Sequence, residues 1–422
     1  MINAETKYLI IGGSHAGLSA AEAIRQYDYD GKISIVNKED LLPYSPTVLP
    51  YIISDKVTID QVCLRNTDYF KRNNIDYKTN KQVQELDIDK NLLTMKDGEE
   101  VKYNKLLIAS GASPSAPPIE GLSDVPYHVL RTFDDARKIK EAMSSVQSCI
   151  VLGAGLIGLH AAENMVKAGI NVTIIEKLEQ VLPGYFDNQA AGIIQTVMEE
   201  SGVRLITRKS VVKVSYTNSK YTLFLDDGSE VQTELLIVAT GVKTCLDFCQ
   251  NSSLETQDGI LVNDLMRTNV DNIWAAGDVA QAKDFFGQEK VLNGILPDAV
   301  EQGYIAGMSM SEDPAINPYL GGIAMNTYTF FGNRSFTVGL SNPPVNDNQY
   351  QIDILYSPAS LRFQKFIFYK DKIVGCSAIN IEIDPGIIRQ IIKRQIELGQ
   401  TKRKFVSYPQ ETGRILMSNL WQ

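Results

Sequence analysis

At roughly 150 residues per domain, a chain of 422 residues has room for two to four domains. Its composition, 44% hydrophobic and 22% charged, is that of a folded globular protein rather than a disordered one. Forty-one Lys and Arg against 50 Asp and Glu give a net charge of -9 without a basic block, which excludes a dedicated nucleic-acid binder, and no apolar run reaches the ~18 residues of a membrane helix.

The N-terminal residues 1–6 are polar and the first strand-like run begins at Tyr8, which leaves no room for a signal peptide ahead of it. The five cysteines (Cys63, Cys149, Cys245, Cys249, Cys376) are scattered and odd in number, so the expectation is a reduced, cytoplasmic protein with no disulfide framework.

The first informative segment is Tyr8-Leu-Ile-Ile-Gly-Gly-Ser-His-Ala-Gly17, followed by a small-residue helix over 18–26 and a second apolar run over 32–36. The same plan returns at Cys149-Ile-Val-Leu-Gly-Ala-Gly-Leu-Ile-Gly158, with a helix to 168 and an apolar run over 170–176. A strand, a glycine turn, a helix and a second strand make the βαβ unit of a dinucleotide-binding fold, so two units imply two nucleotides. Each unit is closed by a similar strand and small-residue turn, Leu106-Leu-Ile-Ala-Ser-Gly-Ala112 and Leu235-Leu-Ile-Val-Ala-Thr-Gly-Val242. The Pro-rich stretch 113–118 reads as a linker. A third strand with a Gly-Asp turn follows at 273–279. From about Pro318 the pattern becomes aromatic with period two, as in 362–369 and 371–376, which predicts an antiparallel sheet, then a helix over 385–397 and a polar tail to Gln422.

The second turn is a complete GxGxxG (Gly153, Gly155, Gly158, with Leu156 and Ile157 between). Its glycines permit close backbone approach to a pyrophosphate, and the helix end supplies N–H groups and a positive dipole. Glu176 ends the next strand, where a carboxylate accepts from a ribose 2′-OH and repels a 2′-phosphate, so NAD(H) is favoured over NADP(H); Lys177 beside it works slightly against this. The first turn has Gly12, Ser14 and Gly17 at the three glycine positions, with Gly13, His15 and Ala16 between them. Its strand ends in Asn37 rather than an acid, with Lys38 and Glu39 following. Asp278, after Gly277, is placed to accept from a ribityl hydroxyl of FAD, and a helix over about 296–307 to aim its N-terminus at the flavin pyrimidine.

Over about residues 7–315, with these turns in this order, the chain resembles the FAD- and NAD(P)-dependent pyridine-nucleotide oxidoreductase family. The resemblance implies an α/β fold with two Rossmann-like dinucleotide-binding domains, for FAD and NAD, and a C-terminal α+β interface domain. The implied boundaries are 1–118 and 244–317 for the FAD domain, 119–243 for the NAD domain and 318–422 for the interface domain, through which members commonly dimerise. The implied cofactor shell adds Val83, Ala109, Ser110, Gly111, Arg131, Thr240, Gly241 and Leu296 to the residues above. The segment from Val129 to Ala136 is similar to a recurring family entry into the NAD domain.

A single-cysteine branch, which resembles coenzyme A-disulfide reductase, carries Cys-Gly-Leu-Pro-Tyr beside the flavin. Matching Leu49-Pro50-Tyr51 places Thr47 at the cysteine position, with Pro46 before it as a second flavin-lining candidate. A threonine has no accessible thiolate, which removes thiol–disulfide exchange. Cys245 and Cys249 form a CxxxC rather than a redox CxxC, no cysteine cluster has iron–sulfur spacing, and no metal site is expected. Of the three histidines, His15 lies in the first turn near the FAD phosphates. His160 takes a place often held by glutamate, ahead of Glu163 on the same helix, and His128 has no nucleophile to activate.

The stretch Leu42-Pro-Tyr-Ser-Pro-Thr-Val-Leu-Pro-Tyr51 and the Gly-Ser-His-Ala turn look most like one subgroup, the flavoprotein (epsilon) subunits of NADH-linked phenylglyoxylate dehydrogenase and its relatives. That implies electron transfer between NAD and an iron–sulfur partner, with thiamine-diphosphate-binding subunits alongside. The alternatives are a free-standing reductase of rubredoxin, ferredoxin or a similar carrier, a cysteine-less NADH oxidase, and a non-catalytic FAD-binding structural subunit. No side chain is expected to act as acid or base in hydride transfer itself, which needs positioning.

Overall fold

The computed structural model describes residues 4–343 and 347–418. Contacts divide the chain into two units: Met1–Val48, Val57–Ser113 and Val242–Gly322 form the first, and Leu49–Lys56, Pro114–Gly241 and Ile323–Gln422 the second.

In the first unit, three apolar runs become adjacent parallel strands. Ala4–Ile11 lies between Ile33–Val36 and Glu100–Ile108, with Ile11 opposite both Val36 and Ile108. Ile75–Lys78 extends the sheet beyond Ile33–Val36. Glu100–Ile108 branches: its first residues pair antiparallel with Leu92–Met95, and Leu106–Ile108 pairs parallel with Ile273–Ala275. The chain leaves Ala4–Ile11 toward one side while Glu100–Ile108 occupies the other. The crevice at the carboxyl ends of these two strands is therefore a topological switch point, where open α/β sheets bind ligands.

The strands are buried on both faces, with Leu9, Ile10, Leu107 and Trp274 at 0% exposure, which explains their continuous rather than alternating apolar pattern. Helices His15–Tyr27 and Leu296–Ser311 pack in backbone contact. A Cβ on Gly303 would lie 2.2 Å from the Ala16 carbonyl oxygen, and one on Gly307 would lie 2.4 Å from that of Ala20. The 16–303 and 20–307 register is parallel, so both helices begin at the same end. Trp274 Nε1–H donates to Ser309 Oγ at 2.9 Å and locks the second helix to the sheet.

The second unit holds a parallel sheet in the order Arg204–Ile206, Asn171–Ile175, Ser148–Leu152, Leu235–Val238, with a three-stranded antiparallel sheet from Val211–Thr217, Lys220–Leu225 and Glu230–Thr233. The expected aromatic sheet is five-stranded and antiparallel, in the order Met325–Phe330, Asn333–Gly339, Lys372–Ile379, Arg362–Tyr369, Tyr350–Ser357. The helix expected over 385–397 is Pro385–Lys393, capped by Asp384. The stretch read as a polar tail contains two further helices, Lys402–Ser407 and Pro409–Ser418; Phe405 at 0% exposure anchors the first. Their basic and polar residues hid the amphipathic pattern. The last four residues of that tail lie outside the described residues.

The close approach of the two helices yields a test. Gly303→Ala places a methyl group on a backbone oxygen and forces the helices apart, at a cost of about 1–3 kcal/mol. Thermal denaturation should show a lower midpoint for this variant, and an unchanged midpoint would contradict the packing described.

Candidate functional site

The first cradle is built where Ala4–Ile11 meets its helix. Gly12 has φ +98°, and a Cβ there would sit 2.2 Å from the Ala109 carbonyl oxygen. A Cβ on Gly17 would lie 2.0 Å from the Gly12 carbonyl oxygen, so the helix starts hard against the turn. Ser14 caps the helix with extended backbone and makes no side-chain cap bond, and the first turn carries no acid. Its leading N–H groups face no carboxylate of their own helix, the arrangement that binds a phosphate.

Around this turn stand several of the expected residues. Asn37 Nδ2 donates to the Glu39 carbonyl oxygen at 3.0 Å, and the Glu39 carboxylate accepts from the Tyr44 hydroxyl at 2.7 Å. Lys38 is exposed. Ser110 Oγ donates to the Cys245 carbonyl oxygen at 3.1 Å, and Cys245 N–H donates to the Gly111 carbonyl oxygen at 3.1 Å, so the turn after Ile108 is tied to the chain's return into this unit. Gly277 N–H donates to Gln302 Oε1 at 2.9 Å, which fixes the Gly-Asp turn on the Leu296–Ser311 helix. Gln302 was not anticipated; its place one residue before Gly303 on the helix was the one local signal. Leu296 is partly exposed at the helix start, and Asp298 in its first turn is buried. Val83 opens the strand Val83–Asp87, paired with Met95 at the edge of the sheet.

Pro46 and Thr47 lie in the short turn Pro46–Val48, with Thr47 exposed. His15 Nε2 is 3.0 Å from Ser45 Oγ, and Ser45 Oγ is 2.8 Å from Thr47 Oγ1. Ser45 is a second residue that sequence reading passed over, since nothing in Tyr-Ser-Pro-Thr announces a partner on a distant helix. Burial lowers the His15 pKa, and the Asp278 carboxylate opposes that shift.

The second cradle repeats the first. Gly153 has φ +100°, and a Cβ there would be 2.5 Å from the Ala239 carbonyl oxygen. One on Gly158 would lie 2.1 Å from the Gly153 carbonyl oxygen. Gly155 caps Leu156–Lys167 with no side-chain bond and no acid in the first turn, and Ile157 is exposed. Glu176 is buried and holds two backbone groups: Ala154 N–H donates to Oε2 at 2.8 Å and Leu178 N–H to Oε1 at 2.9 Å. It thereby ties the glycine turn to the strand end, and a carboxylate so engaged keeps lone pairs for a ribose hydroxyl. Lys177 beside it is exposed. Thr240 Oγ1 donates to the Ser115 carbonyl oxygen at 2.8 Å, and Ser115 N–H donates to that of Gly241 at 3.0 Å. Arg131 N–H donates to Asp135 at the capped start of Phe133–Met143.

His160 packs edge-on between Tyr51 and Tyr328, at 6.2 and 4.7 Å between ring centroids, and burial lowers its pKa. Glu163, also buried, accepts from Phe331 N–H at 3.0 Å and pairs with Lys167. These are packing and anchoring contacts. Four thiols are held away from the thiolate form: burial raises the pKa of Cys63, Cys149 and Cys376, and that of Cys249 to about 11. Cys249 Sγ donates to the Leu246 carbonyl oxygen while Cys245 Sγ lies 3.0 Å from Ser113 Oγ, so the CxxxC makes no pair. Among the described residues no group of His, Cys, Asp and Glu is placed to hold a metal ion, and no helix is long and apolar enough to cross a membrane.

Two glycine cradles with open helix N-termini, one with a carboxylate at the next strand end, define a protein that binds two dinucleotides. The family model of pyridine nucleotide-disulphide oxidoreductases matches residues 6–303, and the chain belongs to that family. It is an FAD-dependent NAD(H) oxidoreductase. The chain is 43% identical over 418 residues, covering 99% of itself and 98% of the relative, to the NADH-dependent phenylglyoxylate dehydrogenase subunit epsilon of Aromatoleum evansii. It is 31% identical over 310 residues, covering 74% of itself and 76% of the relative, to the NADH-rubredoxin oxidoreductase of Clostridium acetobutylicum. In fold it is similar to the ferredoxin reductase for the CYP199A2 system of Rhodopseudomonas palustris, with a TM-score of 0.84 at 22% identity, covering 94% of this chain and 96% of that one.

The double role of Glu176 gives a prediction. Glu176→Ala strands two backbone amides and removes the ribose acceptor, and NADH affinity by calorimetry should fall about tenfold or more. NADPH affinity should fall less, so the preference between the two nucleotides narrows. An equal loss for both would assign Glu176 to turn stability alone.

Proposed function

We propose that this chain is the NAD-facing flavoprotein subunit of a 2-oxoacid:acceptor dehydrogenase complex. In this reading it passes electrons between NAD(H) and an iron–sulfur partner, and thiamine-diphosphate-binding subunits carry out the 2-oxoacid chemistry. The observation that carries the reading is the full-length 43% identity to a phenylglyoxylate dehydrogenase epsilon subunit, joined to a site that has Thr47 where a redox thiol would stand. FAD, when bound, accepts hydride and releases electrons singly. The protein's part is to hold the cofactors. The N-terminus of His15–Tyr27 and the Gly12–Gly17 turn would bind the FAD pyrophosphate, with Asp278 at a ribityl hydroxyl and Pro46 and Thr47 lining the ring. Gly153, Gly155, Gly158 and Glu176 would bind NAD(H), whose placement rather than a protein acid or base governs hydride transfer.

The domain division at 118, 243 and 317 belongs to this reading, as do a cytoplasmic location and a homodimer through the C-terminal sheet. A second reading, a free-standing reductase of rubredoxin or a similar carrier, is favoured by the 31% identity to a rubredoxin oxidoreductase over 74% of this chain.

Anaerobic native purification with mass spectrometry separates the two. Iron–sulfur and thiamine-enzyme subunits in fixed ratio with this chain are the expected result. A lone flavoprotein that reduces an added rubredoxin would replace the complex with the carrier reductase.

A further inference from the structure

The two ends of the hydrogen-bonded line from His15 through Ser45 to Thr47 belong to the FAD cradle, but binding a dinucleotide does not call for the Ser45 hydroxyl that joins them. Pro43, Tyr44 and Ser45 are buried and pinned from three sides. Leu64 N–H donates to the Pro43 carbonyl oxygen at 2.7 Å, the Tyr44 hydroxyl to Glu39 at 2.7 Å, and Val48 N–H to the Ser45 carbonyl oxygen at 3.2 Å. These contacts hold Ser45 Oγ within 3.0 Å of His15 Nε2 and 2.8 Å of Thr47 Oγ1. One end of the line is an exposed hydroxyl and the other a half-buried imidazole at the first turn of the phosphate-facing helix.

We propose that His15, Ser45 and Thr47 form a proton path serving the flavin, a proposal that rests on the electron-transfer reading above. The balance leaves a proton for such a path to carry. NADH delivers two electrons and one proton as hydride, two one-electron acceptors remove the electrons, and one proton is left at the site for every NADH oxidised. Thr47 takes that proton as its own hydroxyl proton passes to Ser45 and the Ser45 proton to His15 Nε2, in the tautomer that carries hydrogen on Nδ1. The imidazolium so formed faces the Asp278 carboxylate, on the turn after Ile273–Ala275, and then yields its proton to solvent. Desolvation keeps His15 neutral at pH 7 and therefore able to accept, while Asp278 is the charged group that favours the protonated form. Ser45 and Thr47, its other neighbours on this line, carry no charge.

Sign and site are both testable. Because the His15 pKa is lowered, acceptance fails only on the acid side, below the ordinary histidine range of about 6.5. The FAD-loaded protein is reduced with NADH, and in parallel with dithionite, then mixed anaerobically with ferricyanide across about pH 5 to 8. Re-oxidation of the wild type should fall on the acid side and slow in deuterium oxide. Ser45→Ala should be about tenfold slower or more and lose the acid limb that His15 imposes while keeping an isotope effect, and Ser45→Thr, which restores a hydroxyl, should recover within about threefold. Independently of turnover, nitrogen NMR of the three histidines in the oxidised protein should show the His15 titration move in Ser45→Ala. Wild-type rates and pH profile in Ser45→Ala, or an unmoved His15 titration, would overturn the path. Failure of NADH to reduce the wild-type flavin would sink the electron-transfer reading instead, and the dithionite arm would still decide the path.

Discussion

The first N–H groups of an α-helix have no partner within it, and at both glycine turns of this chain they are left without a capping side chain or an acid in the first turn. Thr132, Asp187 and Asp384 close the ends of Phe133–Met143, Asn188–Glu200 and Pro385–Lys393 with side-chain bonds. His15–Tyr27 and Leu156–Lys167 have no such cap and follow glycine turns in which a Cβ would strike backbone oxygen about 2 Å away. The open ends are useful to an anion and costly without one. Much of the remaining architecture keeps them in place: the parallel strands that set each turn, the Ala16–Gly303 contact that aligns a second helix, and the Glu176 carboxylate that ties turn to strand.

Paired dinucleotide cradles leave the chemistry undecided, because the same frame serves thiol-dependent and flavin-only enzymes. In the proposed reading the decisive element is the Ser45-Pro46-Thr47 turn, where matching Leu49-Pro50-Tyr51 to the single-cysteine branch puts Thr47 at the thiol's position. A hydroxyl there holds no redox equivalents, and the chain's buried thiols are pushed away from the thiolate form. In the proposed reading the flavin is then the one station for electrons. The same hydroxyl, joined to Ser45 and His15, is suited to protons instead.

Legibility in the sequence followed the range of the physics. Glycine turns, their flanking apolar runs and Glu176 are local, so the two βαβ units and their cofactors could be read directly. The aromatic sheet was readable from period-two alternation in Arg362–Tyr369. The helices Lys402–Ser407 and Pro409–Ser418 were not, since they are short and mostly polar and are held by a few anchors such as Phe405. Ser45 and Gln302 escaped notice for another reason: their partners lie 30 and 25 positions away in the chain, and their roles exist only once the sheet brings those positions together.

In the proposed function, flavin is the sole redox centre of this chain. Anaerobic titration of the purified FAD-loaded protein with NADH, followed by the flavin absorption band, measures it directly. One NADH per FAD, with full bleaching and no thiols gained in a parallel assay, is the predicted result. Two NADH per FAD, with new thiols appearing, would reveal a disulfide in the circuit and contradict it.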